Sequence, residues 1–560
     1  MLGVGRRLGV AALALACMGV KAGPVQAPII IPPPYAAEYA QKTVQMFQTS
    51  WSAYKEYAWG HDDLSPVSES YSDSYGGWGA SIVDALDTIY IMGLTDIFEE
   101  ALNWSSTVDY STTPTDSQIS LFETTIRYVA ASLCTYELSG QKYPQLVNQS
   151  QVIVDKMVNA FVRDNQIPYG YLNWNEGTPV QQTTNIAEAG TLTMEWGTLT
   201  DYTGNDTYRA LAEKSVVYIA NLVGVLRDLL VVDPTSGEFA DAYVTWGGGS
   251  DSYFEYLIKY ARLTNTDNNL FADTWASAVD SSIWNLARSS TVEDWQYMAD
   301  WDNGTIIHIG SHLECFHAGN WMLGALFSPF ADADLTYTRP TGGKLLNNET
   351  IVNWGLALME ACWNTYASTA TGLGPEVFGY SSSDGNYTGT TPSTGDLAFY
   401  AKHGFFVYPG DSDYYLRPEV LESNFYAWRI TGNWKYVQRA ADAVDSFLKY
   451  LPTTVAYAGI DDVDATDSAF IDDMQSFWYA EVLKYLYLTF SDPSLISLDE
   501  YVFNTEGHPF KAPPAKPVYG SGQILESDTS AFKMVVQNGP IVSPVPSAVV
   551  SIQIPSATAV

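Results

Sequence analysis

The sequence predicts an all-α protein whose helices close into a toroid. Three observations carry that reading. Apolar residues recur at i, i+3 and i+4 through a long series of segments between residues 36 and 490, the spacing of a helix with one buried face. Strand signals are few and short, as in Tyr501-Val502-Phe503. No repeat of fixed period is present, which weakens an open solenoid and favours helices burying their stripes against one another around a central hollow.

In chain order the helical segments are Ala36–Tyr57, Ala80–Leu102, Ser117–Glu137, Gln151–Val162, Asn185–Leu199, Tyr208–Leu230, Ser252–Leu263, Thr274–Leu286, Leu313–Leu326, Val352–Ser368, Pro418–Ile430, Lys435–Leu451 and Asp467–Leu488. Turn clusters such as Thr203-Gly204-Asn205-Asp206, Thr235-Ser236-Gly237 and Ser381-Ser382-Ser383-Asp384-Gly385-Asn386 separate them. No low-complexity linker divides the region, so it reads as one domain. Pro418 suits a first helical turn, because it lacks an N–H and its φ is preset. Glu419 and Glu422 then share one face of that turn, where the helix dipole favours carboxylates, and Leu421, Phe425 and Trp428 fill another. Alone, such a pair is an ordinary solvated cap.

Both ends differ from the middle. Met1 to about Ala22 has the form of a signal peptide: basic Arg6 and Arg7, an apolar run from Leu8 to Val20, and a small-residue site at Val20-Lys21-Ala22 or Val25-Gln26-Ala27. The run is too short to span a bilayer comfortably. After Phe510 come Lys-Ala-Pro-Pro-Ala-Lys-Pro and then Ser-, Val- and Pro-rich sequence, so residues 511–560 are expected to form a loosely ordered tail.

The 63 acidic residues against 27 basic ones give a net charge of −36. That excludes nucleic acid and anionic membrane as natural partners and suits an acidic extracytoplasmic protein able to attract divalent cations. The 38 Tyr and 17 Trp serve a large core, or a cleft in which flat rings stack on sugar faces. Sequons at Asn103, Asn148, Asn205, Asn303, Asn348 and Asn386 fit a glycosylated secretory protein. Of the four cysteines Cys17 lies in the signal, one of Cys134, Cys315 and Cys362 is left over, and none has zinc-ligand spacing. Cys134, inside the apolar run Ile126–Leu138, reads as buried and inert.

Four further stretches hold acids in unusual company. Glu123 and Arg127 stand at i,i+4 in Ser120–Arg127, commonly a surface ion pair, yet Phe122 and Ile126 could desolvate Glu123 and raise its pKa. Gly247-Gly248-Gly249-Ser250-Asp251 runs a glycine turn into an acid that could be a plain N-cap. Gly374-Pro375-Glu376 sets a carboxylate beside a rigid turn, and Asn504-Thr505-Glu506-Gly507-His508-Pro509 offers oxygen ligands of the kind calcium takes.

Together with Gly77-Trp78-Gly79-Ala80-Ser81-Ile82-Val83-Asp84-Ala85-Leu86-Asp87-Thr88, Glu188-Ala189-Gly190-Thr191-Leu192, His312-Leu313-Glu314-Cys315-Phe316 and Glu481–Leu488, these stretches resemble the class I α-1,2-mannosidases of glycoside hydrolase family 47, in family order from about residue 36 to 510 and closest to the secreted fungal type. The resemblance implies an (α/α)7 barrel over 36–510 with short β hairpins at its ends. It implies inverting, calcium-dependent exo-hydrolysis of terminal α-1,2-linked mannose from high-mannose N-glycans, by a monomer of the secretory pathway, secreted or in vesicle lumens, with no membrane anchor. By motif position Glu123 corresponds to the acid that protonates the leaving group through a water, with Glu376 an alternative. Glu419 corresponds to the base and Asp251 to the third catalytic carboxylate. Thr505 matches the direct Ca2+ ligand, Glu422, Glu481 and Glu506 the acids around the ion's waters and the sugar, and Arg127 and Phe477 sugar contacts. Cys315 and Cys362 match the family disulfide, which at this loop length is worth roughly 4 kcal/mol. Inversion needs acid and base about 6.5–9.5 Å apart, a span that helices of one ring can provide.

The chain departs from the family pattern twice. Gln475 stands where the family usually has Glu before Ser476-Phe477, and Gly249 replaces the arginine by which the endoplasmic-reticulum subgroup restricts the branch cut. The missing arginine implies trimming of several mannoses. The competing reading is a weakly hydrolytic mannose-glycan-binding protein of quality control, which would not need the full set of acids.

Overall fold

A computed structural model describes residues 24–163, 165–222, 230–327 and 348–521. The signal segment to Ala22 and the tail beyond 521 lie outside the described residues. Fourteen helices among the described residues, numbered here in chain order, form the ring: α1 (Ala36–Tyr57), α2 (Leu86–Ile91), α3 (Thr95–Ser105), α4 (Ala130–Leu138), α5 (Pro144–Met157), α6 (Thr193–Thr203), α7 (Asp206–Leu222), α8 (Asp251–Thr264), α9 (Leu270–Asn285), α10 (Phe316–Phe327), α11 (Asn348–Ala367), α12 (Glu419–Thr431), α13 (Trp434–Tyr450) and α14 (Leu483–Phe490). The even-numbered helices pack side to side, α2 on α4 and so on through α12 on α14, and a π-helical turn at Trp478–Val482 returns the series to α2. Each is backed by one odd-numbered helix: α3, α5, α7, α9, α11 and α13 follow their partners, and α1 backs α14. Seven inner and seven outer helices make an (α/α)7 barrel, closed by pairing the first helix with the last.

Burial separates the two layers. Every residue from Glu419 to Ile430 of inner α12 is buried, whereas outer α13 buries one stripe, Tyr436, Val437, Ala440, Ala441, Val444 and Phe447 among others, and exposes the rest. Gly432 in the left-handed region (φ 64°) ends α12. Short antiparallel hairpins cap the barrel ends. One of them, Tyr501–Phe503 with Pro509–Lys511, packs against inner helices α8 and α4 and carries the loop 504–508 into the ring.

Some sequence boundaries fail for local reasons. Ala80–Leu102 is three helices, interrupted at Ala85 and again at Gly93, whose φ is 70°. Ser117–Glu137 begins with strand Ile119–Ser120 and contains a π-helical stretch, Thr125–Val129. In Asp467–Leu488 the first residues are instead strand Phe470–Ile471, paired to Gly459–Ile460. Thr394–His403 is a helix the apolar pattern misses, since it buries no residue; its signal is the Ser393/Asp396 capping box.

The Cys315–Cys362 disulfide is formed and ties the turn before α10 to α11, and Cys134 is a buried free thiol. Asn103, Asn148, Asn303 and Asn386 are exposed and Asn205 is half-buried. Asn348 is buried in the first turn of α11. Residues 511–521, assigned from sequence to a loose tail, instead run along α8 and α9: Arg262 Nη1 donates to Pro513 O at 2.8 Å and Ser521 N to Asp273 Oδ1 at 2.8 Å. At the other end Arg429 Nη1 donates to Gln26 Oε1 at 2.8 Å and Val25 N to Asp499 Oδ1 at 2.6 Å. Cleavage after Ala27 would remove both contacts. No helix among the described residues is long and apolar enough to cross a membrane.

Wholly buried charges bind the start of the ring to its end. Lys484 Nζ lies 2.7 Å from Asp87 Oδ2, while His508 bridges Asp87 (3.1 Å) and Asp84 (2.9 Å). Lys484→Met leaves Asp87 with its histidine alone, and we expect a loss of about 3–5 kcal/mol in urea unfolding, the usual consequence of breaking a buried pair from one side. A loss under about 1 kcal/mol would show that the pair does not hold the closure.

Candidate active site

The inner helices and the 504–508 loop enclose a cavity of about 330 Å³. Its lining gathers Glu123, Arg127, Asp251, Glu419, Phe477, Glu481, Thr505 and Glu506, brought from points spread over most of the domain. Glu376 and Glu422 do not line it. Glu376 meets the site through Arg417, whose Nε donates to both its carboxylate oxygens at 2.7 and 2.6 Å and which itself faces the cavity. Glu422 is buried one turn along α12 from Glu419, 3.8 Å from Lys259 Nζ.

Local structure explains each placement. Ser120 caps the short helix Leu121–Thr124, its hydroxyl accepting from Glu123 N at 3.2 Å. One turn on, Arg127 donates to Glu123 Oε2 from Nε and Nη2, both at 2.9 Å, to Ser476 Oγ at 3.1 Å, and to Glu506. Its guanidinium lies over the Tyr75 ring, 4.5 Å from the centroid. The pair is thus no surface ion pair. Nor is Glu123 desolvated as its neighbours suggested: its side chain keeps 31% exposure and is held by a cation. Asp251 is the first residue of α8, and its Oδ1 accepts from Ser252 N at 2.8 Å. Pro418 caps α12 just outside its first turn, so Glu419 is the first helical residue.

The carboxyls differ in charge state. Burial, with the charges of Glu255 and Glu419 behind it, pushes Asp251 up to about 7. Burial also acts on Glu419, but the hydrogen bond from His312, with Arg417, outweighs it and holds Glu419 below the usual carboxylate range. His312 Nδ1 lies 2.8 Å from Glu419 Oε2. Burial, and then the charges of Glu506, Glu422 and Glu419, drives Glu481 well above its ordinary value; Glu422 and Glu506 are raised too, chiefly by burial.

Thr505 sits in a turn fixed by Asn504, whose Oδ1 accepts from Glu506 N (3.0 Å) and His508 N (2.8 Å) and whose Nδ2 donates to Glu195 Oε1 (3.0 Å). Thr505, Glu481 and Glu506 line the cavity together and offer only oxygen donors, and carboxyls this reluctant to ionise gain most from a hard divalent cation. Among the described residues no group of three or more His, Cys, Asp or Glu is placed to hold a metal ion by itself.

Residues 46–512 match the family model for glycosyl hydrolase family 47. The chain belongs to glycosyl hydrolase family 47. Within the family it is 36% identical over 491 residues to the mannosyl-oligosaccharide alpha-1,2-mannosidase 1B of Aspergillus phoenicis, covering 83% of this chain and 90% of that protein. It is 36% identical over 504 residues to the mannosyl-oligosaccharide alpha-1,2-mannosidase of Coccidioides posadasii, covering 85% and 91%. The solved alpha-1,2-mannosidase from Trichoderma reesei superposes with a TM-score of 0.78 at 32% identity, over 86% of this chain and all of that one.

Around the cavity of this family 47 hydrolase stand residues to which local sequence assigned no role. His312 lay in a quoted motif, but a lone buried histidine reads as core. Arg417, directly before Pro418, carries no local signal of its own. Glu188, whose carboxylate accepts from Thr184 Oγ1 at 2.7 Å, lines the cavity behind Asn185, which caps its helix. Gly249 lines it as well, with φ 93°, and a Cβ there would meet Leu230 Cδ1 at 2.5 Å, so no side chain fits without moving that leucine.

Proposed function

We propose that this hydrolase is an inverting, calcium-dependent exo-α-1,2-mannosidase that trims high-mannose N-glycans in the secretory pathway. The observation that carries the chemistry is the split between two carboxyls of one cavity: Glu419 held ionised by His312, Asp251 raised to about 7. Pairs whose environments part their pKa values are how acid and base are assigned. Glu419 takes the proton of the attacking water, and Asp251 carries the proton that the leaving oxygen needs. Glu123, tied to Arg127, is then a hydrogen-bond acceptor that orients sugar or water rather than the donor its motif position suggests. Arg127 and Phe477 contact the sugar, Thr505 would hold Ca2+, and Glu422, Glu481 and Glu506 its waters. The ion supplies positive charge to grip sugar hydroxyls and order water. Gly249 leaves the mouth open, which supports removal of several mannoses.

The test is ¹H NMR of α-1,2-mannobiose during the first minutes of digestion. We expect β-mannose to precede its mutarotated anomer, in a reaction stopped by chelation and restored by Ca2+. Release of α-mannose first would overturn inversion, and no release would overturn the activity.

A further inference from the structure

His312 has both ring nitrogens engaged. Nδ1 faces Glu419 Oε2 at 2.8 Å, and Nε2 faces the hydroxyl of Tyr366 at 2.7 Å. An ionised Glu419 only accepts, so Nδ1 must carry a proton; a neutral ring then leaves Nε2 bare and in need of a donor. Tyr366 supplies one. The tyrosine is wholly buried in α11, stacked on Trp363 with ring centroids 5.4 Å apart, and a Cβ on Gly374 would come within 2.5 Å of its ring. Burial, with Tyr414 next, raises the phenol well above its ordinary value and keeps the O–H a donor. It does not line the cavity. Glu419 Oε1 stands 3.9 Å from Arg417 Nη1, beyond hydrogen-bond reach, on a residue that lines the cavity.

We propose that Tyr366 is a positioning residue: its hydroxyl donates to His312 Nε2, fixes the ring as the Nδ1–H tautomer, and so keeps Glu419 a proton acceptor with one fixed and one free oxygen. Were the tautomer reversed, a bare Nδ1 would face Glu419, and the carboxyl would have to hold a proton to satisfy it. The inference rests on Glu419 being the base. The groups around this chain of bonds are Asp251, Glu481 and Arg417, which line the cavity, and Glu422, Glu376 and Tyr414, which do not. None of them donates to Nε2 in place of Tyr366.

Tyr366→Phe removes one oxygen and keeps the packing. We expect kcat to fall about tenfold to a hundredfold, in the range usual for outer partners of a site histidine, with KM changed less than about twofold. The acid limb of the pH–rate profile should move up by about one unit. Independently of activity, ¹H–¹⁵N spectra of histidine-labelled wild type should show the Nδ1–H form for the signal lost in His312→Gln. A wild-type Nε2–H signal, or a Tyr366→Phe profile that overlays the wild type, would overturn the role while leaving the mannosidase reading intact. Absence of mannosidase activity with an Nδ1–H ring would overturn that reading and leave the tautomer assignment standing.

Discussion

Glu419→Gln is expected to lower kcat by about 10³-fold or more while mannobiose still binds. A positioned base contributes roughly 10²–10⁴-fold. Here the amide does further harm, because His312 Nδ1–H would face a group that can present an NH₂ instead of an oxygen. The substitution is isosteric and removes a charge from a crowded acidic site, so the fold should survive and thermal stability should hold or rise. Calorimetric titration with mannobiose, beside single-turnover kinetics, checks both halves. The companion expectation concerns Asp251, proposed to act in its protonated form and pushed by burial up to about 7. kcat/KM should therefore fall as pH rises through about 7, and Asp251→Asn, besides lowering the rate, should lack that limb. Activity of Glu419→Gln within tenfold of wild type would remove Glu419 from the base role.

Most of this site was legible in the sequence because its residues sit in short, chemically odd contexts: a glycine turn running into Asp251, a proline opening α12 before Glu419, a Thr-Glu-Gly turn at 505–507. Those contexts give positions, not neighbours. Glu123 illustrates the limit. Phe122 and Ile126 suggested desolvation, yet the three-dimensional neighbour that matters is Arg127, whose local spacing reads as a surface partner and which proves to be a buried cation of the cavity wall. Likewise Glu376 and Glu422 were placed in the site by motif, while contact with Arg417 and Lys259 sets each one layer behind it. The ring itself was legible from period and from the scarcity of strands. Its break points were not, since π-turns at Thr125–Val129 and Trp478–Val482 leave the apolar pattern unbroken. Both of those turns border cavity residues, where an inner helix must re-aim a side chain.

Without calcium the protein should be most stable in mildly acid solution and lose stability steadily toward neutrality. Glu195 is wholly buried, accepts from Tyr256 (2.5 Å) and Asn504 (3.0 Å), and burial still pushes it up to about 7 from an ordinary 4.5. A carboxyl whose folded pKa exceeds its unfolded one binds more protons folded than unfolded, so its contribution is complete below about pH 4.5 and is lost as pH rises to 7. For Glu195 that loss is roughly 3 kcal/mol. Asp251, Asp300, Glu314, Glu422, Glu481 and Glu506 are displaced in the same direction. Asp84 and Asp87 oppose them: their pKa values are lowered, so their contribution disappears only as pH falls below the usual aspartate range. Stability should therefore peak between about pH 4 and 5.5. An ion held near Thr505 would reverse the penalty of the acids around it, so added Ca2+ should raise Tm markedly at pH 7.5 and little at pH 4.5, the stabilisation being about 2.7 kcal/mol at a hundred times its Kd. Scanning calorimetry with chelator and with Ca2+ across pH 4–8 decides this. A chelated protein more stable at pH 7.5 than at 5 would mean the buried acids are ionised and paired, and the ion's place near Thr505 would lose its electrostatic basis.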